Sequence, residues 1–136
     1  MADFFYDNFK EYIGDATIDL DGHTFKCGLL DDGHTPDVTH DDWADVSGDE
    51  VSGAGYTAGG ATLANVTWTN VGGTITFDAD NPTWTSASFT ARYGVIYDSS
   101  ASDKLMRLFD FDENRTVEAG TFKMIVHALG LFTLAG

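Results

Sequence analysis

The sequence predicts an all-β fold, an antiparallel β-sandwich of jelly-roll type, with a short N-terminal helix. Segments rich in Val, Thr, Ile, Phe and Trp recur at even spacing from residue 61 onward, with Gly, Asn, Asp or Ser near the breaks between them. No alternation of helical and strand patterns favours a parallel sheet. With 136 residues, of which 43% are hydrophobic, the chain is long enough for one core.

The first predicted element is an amphipathic helix within residues 1–14. Phe5, Phe9, Tyr12 and Ile13 follow the spacing i, i+4, i+7, i+8 that places side chains on one helix face over residues 3–13. Gly14 follows as a helix stop. A helix this short is marginal alone, so its apolar face must pack on the domain or on a neighbour. We therefore expect an arm at 1–14 before a single domain at 15–136.

Two different patterns follow the helix. ATIDL and HTFKCGLL flank Asp21-Gly22, a pair typical of a two-residue hairpin turn, so a hairpin is expected over residues 16–30. Residues 31–55 are rich in Asp, Gly and Ser and contain few apolar residues. They predict a long acidic loop with a helical turn near residues 41–46. Such loops are often functional or ordered by a partner.

Later strands are expected where the alternating apolar pattern returns. Gly72-Gly73, Asn81-Pro82, Ser99-Ser100 and Glu113-Asn114 mark the breaks. The predicted strands are 61–69, 74–77, 86–97, 104–111, 121–126 and 131–134.

Charge and composition exclude several partners. The chain has 22 acidic and 7 basic residues and a net charge of −15, whereas contact with nucleic-acid phosphates requires clustered Lys and Arg. No apolar run approaches the length of a membrane span. The N-terminus lacks the pattern of a signal peptide, and the single Cys27 excludes an intrachain disulfide. We expect assembly in the reducing cytoplasm of a cell.

The motifs with chemical potential are incomplete. Asp110 to Glu118 alternates oxygen ligands as a calcium loop does, but Arg115 replaces the required glycine and Thr121 replaces the bidentate glutamate. A solvated hairpin turn is the preferred interpretation of that segment. Glycines match no phosphate-binding loop, and no G-x-S-x-G elbow occurs. The histidines lack metal-ligand spacing, and a structural role is expected for His23, His34, His40 and His127. No catalytic residue, metal or cofactor is therefore expected.

Four segments of this chain resemble a family of small virion structural proteins of tailed bacteriophages. They are DEVSGAGYTAGGATL, ITFDADNPTWTSASFTARYGVIYD, LMRLFDFD and AGTFKMIVHALGLFTL. The likeness covers most of the chain and lies in the spacing of Gly, Tyr and Trp and in the ARYGVIYD strand. It implies a non-enzymatic accessory protein of the virion, with a β-domain on the capsid or at the head–tail junction.

Capsid cement or decoration is the favoured role. The protein would bind across subunits of the major capsid protein on the capsid surface, after assembly in the bacterial host cytoplasm, and would associate with itself as a dimer or trimer. An acidic surface complements basic patches on a shell protein, and many copies convert modest contacts into avidity. The alternatives are a head–tail connector, neck or tail component, and a carbohydrate- or calcium-binding adsorption module.

The expected interface residues come from the helix, from the acidic loop and from Tyr56 just after it. Trp43 is an indole in a polar loop, and tryptophan is enriched at interface hot spots. Nearby carboxylates would supply electrostatic complementarity. The expected interface residues are Phe4, Phe5, Phe9, Tyr12, Asp41, Asp42, Trp43, Asp45 and Tyr56.

Overall fold

The structure, a computed structural model, describes residues 3–126 and 131–135. Within these ranges the chain forms eight strands and one α-helix, which confirms the all-β class with a short N-terminal helix. The elements in chain order are β1 (Phe4–Phe5), α1 (Asp7–Gly14), β2 (Phe25–Leu30), β3 (Ala61–Thr62), β4 (Thr67–Val71), β5 (Thr74–Asp78), β6 (Thr83–Asp98), β7 (Lys104–Lys123) and β8 (Phe132–Leu134).

The larger sheet has the strand order β1-β7-β6-β2-β3, with antiparallel neighbours throughout. Its centre is the long β6–β7 hairpin. From Ala91 to Asp98, β6 is almost continuously buried because β2 and β7 flank it and other elements cover the sheet. The first half of β6 alternates between buried and exposed residues, as expected for a strand with one solvated face.

A three-stranded sheet, β4-β5-β8, packs on the same core. Phe25 of β2 meets Phe77 of β5 edge to face, with 5.0 Å between ring centroids. Phe5 of β1 meets Phe132 of β8 at 5.5 Å. These ring pairs link the two sheets, while the sandwich architecture and its jelly-roll form stay predictions.

The N-terminal prediction is wrong at its first turn. The helix begins at Asp7, after Tyr6 in an extended conformation, and Phe4–Phe5 form a strand whose partners are Leu108 and Arg107 of β7. The apolar spacing predicted a helix face for Phe5. Pairing with an open strand edge competes with that preference, because it satisfies backbone groups that a short helix end leaves free.

The predicted hairpin over residues 16–30 is also wrong. Only Phe25–Leu30 forms a strand, although Ile18 and Leu20 are buried. The Asp19 carboxylate accepts the N–H groups of Asp21 and Gly22, so a local side-chain turn replaces strand pairing. Further on, the predicted strand 61–69 is two strands, β3 and β4.

The predicted break at Glu113-Asn114 lies inside the single strand β7. Ala91 pairs with Arg115 and Tyr93 with Asp110, so β7 accommodates more residues than β6 over this interval. Asp112 takes a left-handed conformation, with φ 68°. Turn-forming residues have produced a bulge instead of a turn. The described segment Asp110–Glu118 is thus neither a hairpin turn nor a calcium loop. His127 and Gly130 lie outside the described residues.

Candidate interface: the helix and the acidic loop

Asp41 connects the helix to the acidic loop. Its Oδ1 accepts hydrogen bonds from Tyr12 Oη at 2.6 Å and Asn8 Nδ2 at 2.9 Å, both on α1. Its Oδ2 is 2.6 Å from Lys104 Nζ at the start of β7. The N–H of Asp7 also donates to the carbonyl of Val38. Two regions that the sequence predicted separately therefore form one surface, the helix–loop surface, defined as α1 with residues 37–45.

The electrostatics of Asp41 favour its charged form. Burial alone would raise the pKa of this carboxyl, but hydrogen bonds from Lys104, Tyr12 and Asn8 outweigh burial and lower the pKa to about 2. The same contact raises the pKa of Lys104, since the ammonium gains a carboxylate partner. Asp41 thus acts as a fixed anionic bridge within the protein.

Asp42 and Asp45 organise the first short 3₁₀ turn of the loop, Trp43–Asp45. The Asp45 carboxylate accepts the N–H of Asp42 at 3.3 Å, and the N–H of Asp45 donates to the backbone carbonyl of Asp42. Asp45 also accepts the N–H of Asp41, and these backbone donors lower its pKa. Asp45 is exposed, and within the described chain neither Asp42 nor Asp45 pairs with a cationic side chain. They add negative charge to the helix–loop surface.

The interpretation of Trp43 as an exposed indole in a polar loop is wrong. The residue is only 9% exposed, and its ring stacks on Tyr97 with 4.7 Å between centroids and an interplanar angle of 16°. It lies directly over Gly28 in β2, where a Cβ would overlap the indole ring. Trp43 is thus a core residue that attaches the loop to the larger sheet, because burying such a large apolar surface is strongly favourable.

The aromatic residues of the arm divide into two groups. Phe9 is 1% exposed and packs between Phe5 and Phe132, so it holds the helix to the domain and is not free to contact a partner. Phe4, Phe5 and Tyr12 remain half-buried. Of the two alternatives expected for the apolar face of the helix, packing on the domain or on a neighbour, the structure shows packing on the domain.

Tyr56 is tied to the fold by two hydrogen bonds. Its hydroxyl accepts the N–H of Leu29 at 3.0 Å and donates to Glu50 Oε2 at 2.6 Å. Burial and the Glu50 contact raise its pKa. The ring also packs edge to face on Phe89. Its half-buried position leaves part of the ring accessible.

Sequence reasoning missed Lys104 and Asn8, the two polar partners that complete the Asp41 cluster. An isolated lysine in a strongly acidic chain was the one available signal for Lys104. It also missed a pair at the β6–β7 turn, where His23 Nδ1 lies 2.6 Å from Asp98 Oδ2 and Asp98 is the cross-strand partner of Lys104. Asp98 is fully buried, and desolvation raises its pKa. Its position in the β6–β7 turn indicates that the pair fixes residues 19–23 to that turn.

Over residues 3–126 and 131–135, no three His, Cys, Asp or Glu side chains come together in a metal-binding arrangement. His34 is buried with Nδ1 2.9 Å from Asp49 Oδ2, a contact internal to the loop. Within the same ranges, no helix has the length and apolarity to cross a bilayer.

Comparison of the chain with protein-family models, curated proteins and solved structures finds no match in any of the three.

Proposed function

We propose that this protein is a non-enzymatic cement or decoration protein of a tailed-bacteriophage capsid. In this role it binds across neighbouring subunits of the major capsid protein and stabilises the shell. The proposal rests on the sequence resemblance together with one structural observation, the helix–loop surface. The partners would be the capsid subunits and copies of this chain.

The helix–loop surface supports the proposal through its combination of rigidity and charge. Asp41 is paired with Lys104, but Asp37, Asp42 and Asp45 form no ion pair with a Lys or Arg side chain among the described residues. Buried Trp43 and Phe9 hold the supporting backbone in place. A preorganised surface loses little conformational entropy on binding, and its negative charge complements a basic patch on a shell subunit.

Copy number in purified virions tests the proposal. Quantitative mass spectrometry should find this chain in a fixed, stoichiometric ratio to the major capsid protein. A ring's worth of copies per virion would instead assign the protein to the neck or tail, and its absence from virions would overturn the virion proposal altogether.

A binding experiment tests the surface itself. Particles that lack the protein should bind the wild-type chain and gain resistance to heat-induced DNA release. The double variant Asp42→Asn with Asp37→Asn should bind more weakly, with a reduced dependence on salt. The matched control is Glu113→Gln with Glu118→Gln on the exposed part of β7, which makes the same change in net charge outside the surface. Equal loss of binding in both variants would contradict a specific role for the helix–loop surface.

A further inference from the structure

An open apolar groove lies between the smaller sheet and the segment that follows α1. Its volume is about 560 Å³. Ile13, Ile18 and Leu20 line one side, and Trp68 of β4 and Leu134 of β8 line the other. Leu134 is 52% exposed, although it faces other apolar side chains across the groove. The groove begins at the last two residues of α1, Ile13 and Gly14, and its other lining residues lie outside the helix–loop surface.

The strand register explains why this groove is present. Trp68, Phe77 and Phe132 lie opposite one another across β4, β5 and β8, and the next row on the same face contains Asn70, Ile75 and Leu134. Phe77 is covered by Phe25 of the larger sheet, whereas Leu134 remains half-exposed. The apolar face of the smaller sheet therefore extends beyond the area that the core covers. This uncovered part of the sheet face forms one wall of the groove.

The charge at the groove determines which partner fits. Asp19 and Asp21 lie at its edge, and in the described chain neither pairs with a cationic side chain. In this groove a second copy of this chain is a poorer occupant than a basic segment, because a chain with only 7 basic residues offers few cations to Asp19 and Asp21. An apolar side chain flanked by Lys or Arg satisfies both features, since the apolar group fills the groove and the cations approach the carboxylates.

We infer that this groove receives an aliphatic side chain from a basic segment of a partner protein. The inference rests on the proposed function, in which that partner is the major capsid protein. A volume of about 560 Å³ lies in the range of pockets that bury most of a drug-sized ligand, so the groove has room for an aliphatic side chain together with parts of the flanking residues. Docking here would give the protein a second attachment point in addition to the helix–loop surface, and two linked contacts bind more strongly than either alone.

Two glycines provide a matched pair of variants. Gly14 lines the groove, and a Cβ added there meets no atom within 4 Å, so Gly14→Phe places a ring in open space. Gly48 lies in the second 3₁₀ turn of the loop, Ser47–Asp49, outside the groove, and its Cβ position is equally open. Neither residue has a left-handed φ, so backbone strain does not separate the variants. Both variants should keep the wild-type circular dichroism spectrum and melting temperature within a few degrees.

The first measurement uses a probe that does not depend on the virion. Methyl NMR spectra of the full chain are recorded during titration with acetyl-Lys-Leu-Lys-amide. Saturable shifts are expected for Ile13, Ile18 and Leu134 in the wild type and in Gly48→Phe, but not in Gly14→Phe. Acetyl-Glu-Leu-Glu-amide should bind at least tenfold more weakly. Equal shifts in Gly14→Phe, or equal binding of the acidic peptide, would overturn the inference.

The second measurement separates the groove from the proposed function. Wild-type protein, Gly14→Phe and Gly48→Phe are added to particles that lack the protein. A loss of binding confined to Gly14→Phe supports the groove. If the wild type and both variants bind the particles equally, the inference about the groove is overturned, whereas the cement role stands. If the wild type does not bind particles, the cement role fails, and the capsid protein is then no longer the expected occupant of the groove. In that case the peptide titration alone decides whether the groove accepts a basic segment.

Discussion

The acidic loop at residues 31–55 and the β4–β5 hairpin differ in how they relate to the core. Both are polar and contain glycines. The loop buries Trp43, Val46 and Val51 against the larger sheet. The hairpin leaves most of β4 exposed, including Val71 at 77%. A polar, glycine-bearing sequence therefore does not by itself indicate a loosely held segment, because a few large apolar side chains can anchor a long loop.

The glycines of the two regions show the same difference. Gly53 in the loop and Gly60 just after it approach other backbone segments so closely that a Cβ would overlap the carbonyl oxygens of Ser88 and Cys27. In the hairpin turn, Gly72 and Gly73 also have positive φ values, yet no atom lies within 4 Å of the added Cβ. The first pair is required by packing, and the second only by turn geometry.

Among the substitutions that test this comparison, removal of the Trp43 indole should have the largest effect on the free energy of unfolding. Trp43→Ala should lower the free energy of unfolding by about 3 to 5 kcal/mol, because it deletes a large buried ring and leaves a cavity over Gly28. Val71→Ala in the hairpin should change it by less than about 0.5 kcal/mol. Urea unfolding followed by circular dichroism measures both. Similar small effects would show that the loop is not anchored by its indole.

Adding one methyl group to Gly60 or to Gly72 should separate packing from turn geometry. Gly60→Ala should cost roughly 2 to 4 kcal/mol, since left-handed strain is combined with overlap on the Cys27 carbonyl. Gly72→Ala carries the strain alone and should cost about 1 kcal/mol. If both variants lose the same stability in thermal unfolding, the backbone around Gly60 can shift to accommodate the added methyl group at little cost.

Removing the charge of Asp41 should have an intermediate, pH-dependent effect. The folded-state pKa of about 2 lies below the ordinary value of 3.8, so the charged form contributes stability above about pH 4. That contribution is lost as the pH falls towards 2. Asp41→Asn should lower the free energy of unfolding by about 2 kcal/mol at pH 7 and by much less near pH 2.

The control for this measurement is Asp80→Asn near the hairpin, where the carboxylate has no cationic partner among the described side chains. Its effect should be below about 0.5 kcal/mol at either pH. A pH-independent effect of Asp41→Asn would show that its hydrogen bonds stabilise the protein without help from its charge.

Removing the Tyr56 hydroxyl should lower the free energy of unfolding less than the substitutions at Trp43, Gly60 and Asp41. Tyr56→Phe keeps the packing on Phe89 but removes the acceptor for the Leu29 N–H and the donor to Glu50. The loss should be about 1 kcal/mol. Hydrogen exchange should show faster exchange of the Leu29 amide, with the β4–β5 amides unchanged. Unaltered protection of Leu29 would contradict a structural role for this hydroxyl.

The sequence predicted the fold class because strand periodicity is a local signal. The segments near β5, β6 and β8 agree with the structure for that reason. The sequence prediction failed at Phe5, which pairs with a distant strand edge. It also failed at residues 16–20, where a side chain accepts backbone N–H groups. The bulge in β7 contains the residues that predicted a turn, but only the pairing with β6 decides between bulge and turn.

The sequence predicted both parts of the candidate interface, but it did not predict that the two parts contact each other. Acidic residues and an apolar helix face are visible in composition, whereas the bonds from Tyr12 and Lys104 to Asp41 depend on tertiary structure. Trp43 shows the opposite problem. Its neighbours are polar in sequence, but Gly28 in a distant strand creates the space that buries it.

The contact between Phe9 and Phe132 has a consequence for the order of synthesis and folding. These rings come from near opposite ends of the sequence, and Phe132 covers Phe9 at 5.6 Å between centroids. During translation, α1 leaves the ribosome long before the strand that completes its burial. Long-range closure of this kind slows folding and keeps apolar surface exposed in the nascent chain. We therefore expect the helix to gain protection from proteases only after β8 has been released.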